Sequence, residues 1–112
     1  MTRRFQNAMQ LMRRSDPQEQ EDGFHSLRPY AAEHVEELIA EFRAEHRNHG
    51  LRCWLLELIA EARRPEALPL LAEMVQSEDE PLRDRAVRGL TALGTKETRH
   101  VLWRERANGR IG

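Results

Sequence analysis

Three stretches of this chain carry the same apolar spacing at a nearly constant offset. Phe24, Leu27, Tyr30, Leu38, Ile39 and Ala40 fall in register with Leu56, Ile59, Ala62, Leu70, Leu71 and Ala72 at a shift of 32. A further shift of 31 reaches Val87, Leu90, Leu93, Val101, Leu102 and Trp103. Self-similarity at a period between about 20 and 50 residues marks a repeat architecture, because one short unit cannot bury its apolar stripe alone and hides it against the next copy. Such a pattern constrains shape far more than chemistry, and it points to a binding scaffold.

Prolines and small polar residues divide the chain into seven helical segments. Thr2 to Arg14 places Phe5, Ala8, Met9 and Met12 on one face. Asp16-Pro17 starts a second helix, with Asp16 as N-cap and proline where its missing amide hydrogen is not needed. That helix runs to about Arg28, and Pro29 ends or bends it. A third helix, about Ala32 to His46, buries Val35, Leu38, Ile39 and Phe42, and Gly50 in Asn48-His49-Gly50 suits a helix C-terminus. Leu51 to Arg63 is the most apolar segment and is expected at the centre. Pro65 opens the fifth helix and Pro69 is expected to kink it. Pro81 opens the sixth, through Leu93, and Gly94-Thr95 separates it from the seventh, Lys96 to about Asn108.

The 112 residues make one domain's worth of chain. With 18 basic and 19 acidic residues there is no net field to hold a nucleic acid or an anionic membrane, so any electrostatic role is local. Seventeen of the basic residues are arginine and only Lys96 is lysine, a bias that reads as the composition of a GC-rich bacterial genome. A lone cysteine, Cys53, excludes an internal disulfide and suits a reducing cytosol; its counterparts Glu21 and Asp84 predict partial exposure. Met1 to Gln10 has no apolar stretch of signal-peptide length and no segment approaches 18 apolar residues, so a soluble, cytoplasmic protein is expected.

Paired short helices joined by tight turns resemble the HEAT family. The resemblance is closest in LRCWLLELIAEARRPEALPLLAEMV and LRDRAVRGLTALGTKETRHVLW, which share the opening Leu51-Arg52 and Leu82-Arg83, an apolar helix end and the turn after it. This is the pattern of the short bacterial HEAT-like repeats of the phycobilisome-lyase type, strong over Leu51 to Arg104 and weaker over Asp16 to His46. Met9, Leu11 and Met12 align with Ala72, Met74 and Val75, so the first helix matches a second-helix position only. The resemblance implies an all-α, right-handed α-α superhelix of three helix pairs plus an N-terminal capping helix. Its expected division of the single 1–112 domain is a capping half-repeat over 1–15, a divergent repeat over 16–47, repeats over 48–78 and 79–109, and a tail at 110–112.

In that family the first helices form a convex layer and the second helices line a concave groove. The second helices here are Ala32 to His46, Pro65 to Ser77 and Lys96 to Asn108. Opposite the core stripe of the third helix lie Glu33, Glu37, Ala40 and Ala44, with Glu36 and Glu41 beside them. The same register gives Pro65, Pro69, Ala72 and Gln76 with Glu73, then Lys96, His100, Trp103 and Ala107 with Arg99 and Arg104. The expected groove therefore runs from acidic to basic, which orients a partner of complementary charge or reflects scattered surface charge. Trp103 stands where the earlier copies have Ala40 and Ala72; it either anchors a partner, as tryptophan and arginine commonly do, or folds over Ala72 to seal the groove. Trp54 is read as a rim contact between neighbouring first helices. The candidate partner-binding residues are Glu33, Glu37, Glu41, Glu73, Arg99, His100, Trp103 and Arg104.

Catalytic readings find little support. Glu45, His46 and His49 offer three ligands but no completed metal set, and the His-Glu dipeptides of a metal-dependent HEAT enzyme appear here only reversed, at Glu33-His34 and Glu45-His46. Ser15, Ser26 and Ser77 lie in no nucleophile motif, there is no glycine-rich phosphate loop, and no cofactor is implied. The chain is short for enclosing a tetrapyrrole, which weighs against a lyase. Basic concave faces in some HEAT-like repair proteins grip DNA, yet Glu33, Glu36, Glu37, Glu41, Glu66 and Glu73 would repel phosphates, leaving only a contact through Lys96, Arg99, Arg104, Arg106 and Arg110. The expectation is a non-catalytic scaffold or adaptor that captures another protein, with an immunity-type inhibitor of a cognate toxin as one identity. A homodimer through the terminal helices, using Met9, Met12, Trp103 and Ile111, is the remaining partner reading.

Overall fold

A computed structural model describes residues 2–112 and contains α1 (Arg3–Met12), α2 (Pro17–Leu27), α3 (Val35–Ala44), α4 (His49–Ala62), α5 (Leu68–Met74), α6 (Glu80–Leu93) and α7 (Lys96–Ala107). Two 3-10 turns, Arg28–His34 and Pro65–Ala67, precede α3 and α5, and no strand occurs among the described residues. Five helices start on a side chain that accepts from the first turn. Thr2 caps α1, Asp16 α2, Asn48 α4, Asp79 α6 and Thr95 α7, each removing an otherwise orphaned amide hydrogen. Gly94 ends α6 in the left-handed region at φ 61°, and Arg63 does the same for α4 at φ 53° despite its β-carbon.

Three local expectations are corrected. The third helix begins at Val35 and not Ala32: the chain after Pro29 tightens into a 3-10 turn, and His34 leaves helical dihedrals (φ −120°, ψ 19°) with its ring buried against Phe5. Pro69 kinks nothing, because the segment from Pro65 is a separate 3-10 turn and Pro69 lies in the first turn of α5, where an amide is not required. Gly50 is no terminator. Glu45 turns the chain, its carboxylate accepting from the Arg47 and Asn48 amides at 3.1 and 2.9 Å, and Gly50 sits inside the first turn of α4.

The helices stack as two layers in an elongated body of 41 × 24 × 20 Å. Lateral contacts define the layers. In one, Arg13 of α1 reaches Glu41 and Glu45 beside α3, Arg43 of α3 reaches Glu73 of α5, and Gln76 after α5 reaches Glu105 of α7. In the other, Arg28 at the end of α2 pairs with Glu61 of α4, and Glu57 of α4 pairs with Arg85 and Arg88 of α6. Odd-numbered helices thus make one layer and even-numbered helices the other, each bridge spanning about one repeat of sequence.

Between the layers runs a continuous core. Leu55, Leu56, Leu58 and Ile59 of α4 are fully buried, with Leu38 and Phe42 of α3, Leu70 and Leu71 of α5 and Leu90 of α6 around them. The stripe of α1 lies on α2, where Gly23 permits a very close approach: a β-carbon there would stand 2.6 Å from the Ala8 carbonyl oxygen and 2.9 Å from both Leu11 and Met12. We expect Gly23→Ala to lower the unfolding free energy by about 1–3 kcal/mol, since two backbones must separate to admit one methyl group. Urea denaturation checks this, and a change within about 0.5 kcal/mol would show that α1 is loosely seated.

Candidate partner-binding surface

The outer face of the odd-numbered layer holds the residues singled out by the repeat register. Its acidic members are engaged by arginines from neighbouring helices. Glu33 faces Arg4 at 3.5 Å, Glu41 faces Arg13 at 2.5 Å, and Glu73 faces Arg43 at 3.1 Å. Glu37 turns instead to His34, whose Nδ1 lies 2.9 Å from its carboxylate, and His34 is only 3% exposed. Exposed ion pairs of this kind add about 0–1 kcal/mol each, so they matter less for stability than for which charges they occupy.

The basic end differs. Arg99 donates to the Gly94 carbonyl oxygen at 2.6 Å and meets no carboxylate, and Lys96, His100 and Arg104 form no ion pair among the described residues. Trp103 is 66% exposed, the most exposed large apolar side chain among the described residues, and its ring lies near that of His100, with centroids 6.1 Å apart at 25°. Sealing over Ala72 would have buried the indole. Its counterpart Ala40 is exposed too, so the position points outward in the first copy as in the last.

Beneath this surface lies a residue the sequence reading passed over. Extending the core position Phe42 by one repeat gives Met74, and by another Glu105, fully buried at 0% exposure. Glu105 accepts from Arg110 at 2.7 Å and from Gln76 at 3.2 Å, and its backbone carbonyl accepts from the Arg110 amide at 3.0 Å. The Arg110 bond, joined by that from Gln76 and opposed by burial, holds the Glu105 carboxyl below the usual range. Arg106 donates to the Gly112 carbonyl oxygen, and Ile111 packs against the core. The tail thereby folds back over the last layer, beside an open cleft of about 670 Å³ bounded by Arg83, Val87, Arg88 and Ile111. Applying the register to the last copy, where a stripe position turns charged, was the available signal.

Other singled-out residues fall inside the fold. Cys53 is 6% exposed and not partly exposed, because α6 runs alongside α4 and covers it; burial raises its thiol pKa, away from thiolate chemistry. Trp54 packs edge-on against Phe24 at 4.5 Å, joining α2 to α4. His49 leaves Glu45 and His46 and meets Asp79 at 2.7 Å, so the three sequence-adjacent ligands do not converge. Among the described residues no group of three His, Cys, Asp or Glu side chains is placed to hold a metal ion. Met9 and Met12, expected at a homodimer contact, are buried against the protein's own α2 by their stripe and are closed to a second copy. Among the described residues no helix is long and apolar enough to cross a membrane.

Glu105 and Glu45 both titrate below the ordinary Glu value of 4.5, the second held down by the Asn48 and Arg47 amides and by Arg13. A depressed folded-state pKa contributes stability above the unfolded value and loses it as pH falls through the folded one. Glu105→Gln is therefore expected to unfold at lower urea than wild type at pH 7, with the gap shrinking as the pH is taken below 4.5. A gap that widens in acid would contradict the assignment.

A family model described as HEAT repeats matches residues 35–108, from the first residue of α3 to just beyond α7. No significant match was found among curated proteins or among solved structures.

Proposed function

The chain belongs to the HEAT-repeat family, and from that premise we propose that it is a non-catalytic scaffold that captures a partner protein on the face of its odd-numbered helices. One observation carries the reading. The fold leaves Trp103 two-thirds exposed, its ring stacked near His100 on the helix that also carries Arg99 and Arg104. Large exposed aromatics flanked by arginine are the side chains that most often dominate interface energies, because they bury much area at little entropic cost. HEAT repeats serve generally as interaction scaffolds, which supports the same reading.

Recognition would be stoichiometric and would involve no covalent step. Stacked helices hold the surface in shape before the partner arrives, so little ordering cost falls on the scaffold. Trp103 is the anchor. Arg99, His100 and Arg104 surround it, while Glu33, Glu37, Glu41 and Glu73 shape the more neutral remainder. An adaptor and an inhibitor of a cognate toxin would both use such a face, and the partner's identity separates them.

Capture from the native lysate tests this. The Trp103→Ala/Arg104→Ala protein is expected to keep wild-type helicity and melting, since both side chains are exposed, and to lose at least about 2 kcal/mol of partner affinity, roughly 30-fold. Unchanged capture by the variant would remove Trp103 as anchor. Tight one-to-one zinc uptake abolished by His49→Ala would instead favour metal chemistry.

A further inference from the structure

Resting on the scaffold reading, we propose that the captured segment is acidic and apolar: a stretch of protein that sets carboxylates against Arg99 and Arg104 and an apolar side chain against Trp103. The inference comes from which charges remain free. Along the odd-helix face Glu33, Glu41 and Glu73 are each matched by Arg4, Arg13 and Arg43, and Glu37 is turned to buried His34, so that of the acids placed on this face in α3 and before it only exposed Glu36 has no ion pair among the described residues. That part of the face offers an approaching chain mostly compensated charge.

On α7 compensation fails. Lys96, Arg99 and Arg104 meet no carboxylate, and the acids of this helix are Glu97, exposed in the first turn, and Glu105, already committed to Arg110 within the core. With Arg106, which also meets no carboxylate and donates only to the Gly112 backbone oxygen, four cations against one free carboxylate leave a local positive surface on a chain whose total charge is −1. Arginine forks pair with carboxylates through two parallel hydrogen bonds, and complementary charge steers encounter and sets orientation. The strip on α7 spans one helix of 12 residues, a length of about 18 Å. A nucleic-acid backbone continuing beyond α7 would meet arginines already occupied by glutamates, so a short acidic peptide segment fits where a tracked phosphate chain does not.

The test is fluorescence anisotropy with a fluorescein-labelled Glu/Asp/Leu peptide, a Lys/Leu peptide of equal length and a single-stranded oligodeoxynucleotide. The acidic peptide is expected to bind at least about ten-fold tighter than the other two. Trp103→Ala and Arg99→Glu/Arg104→Glu are each expected to weaken it by about ten-fold or more, and added salt to weaken it further. Arg28→Gln, on the even-numbered layer, should change it less than about two-fold. Circular dichroism confirms that each variant is folded. Preference for the basic peptide or the oligonucleotide overturns the proposal, as does acidic-peptide binding indifferent to Trp103→Ala. If no peptide binds while Trp103-dependent capture of a lysate protein persists, the acidic partner is refuted and the scaffold reading stands; if both fail, both fall.

Discussion

The structure depends on the burial of α4. Its sequence is apolar nearly all round, with Leu55, Leu56, Leu58 and Ile59 fully buried and Cys53, Ala60 and Ala62 nearly so. A helix of that composition keeps only a narrow polar edge, at Glu57 and Glu61, for water and must have neighbours over most of its surface. α3 and the 3-10 turn before it cover it from one layer, and α6 runs alongside it while Phe24 of α2 packs on its Trp54, so the stack is organised about its middle copy. Each buried leucine contributes about 1.5–3 kcal/mol, which makes this helix the largest single source of favourable burial in the chain.

The two ends of the described stack are built differently. At the N-terminal end α1 lays Phe5, Ala8, Met9 and Met12 over α2, with Gly23 bringing the backbones together. At the other end the core stripe itself changes character. Val35, Ala67 and Thr98 occupy one register position and Phe42, Met74 and Glu105 another, so the last helix carries polar groups where a further repeat would have packed. Thr98 satisfies itself on Thr95, and Glu105 is satisfied by Arg110 from the tail, which also brings Ile111 onto the core. A buried carboxylate left unpaired would be costly, so the tail belongs to the fold.

Charge follows the same stacking. Arg13, Arg28, Arg43 and Arg88 each reach a glutamate about one repeat away, so these arginines serve as lateral bridges between copies. On α7 the cations Lys96, Arg99 and Arg104 have no such bridging partner, and the exposed indole of Trp103 stands on the same helix.

The period, the helix count, the cap at Asp16 and the central place of α4 were legible in the sequence, because they rest on local propensity and on apolar spacing that recurs whatever the neighbours do. The start of α3, the role of Pro69 and the place of Gly50 were not, because a 3-10 turn and a side-chain-stabilised bend depend on what the segment packs against. Linear register put Glu33, Glu37, Glu41 and Glu73 on one face but was silent on the arginines that meet them from other copies. It likewise left Cys53 uncovered and Trp103 undecided, since α6 and the open end of the stack lie far away along the chain. Sequence alone determined which side of each helix is apolar; tertiary structure alone decided which charges remain unpaired and which aromatic stays in water, because pairing and exposure depend on neighbours supplied by other repeats.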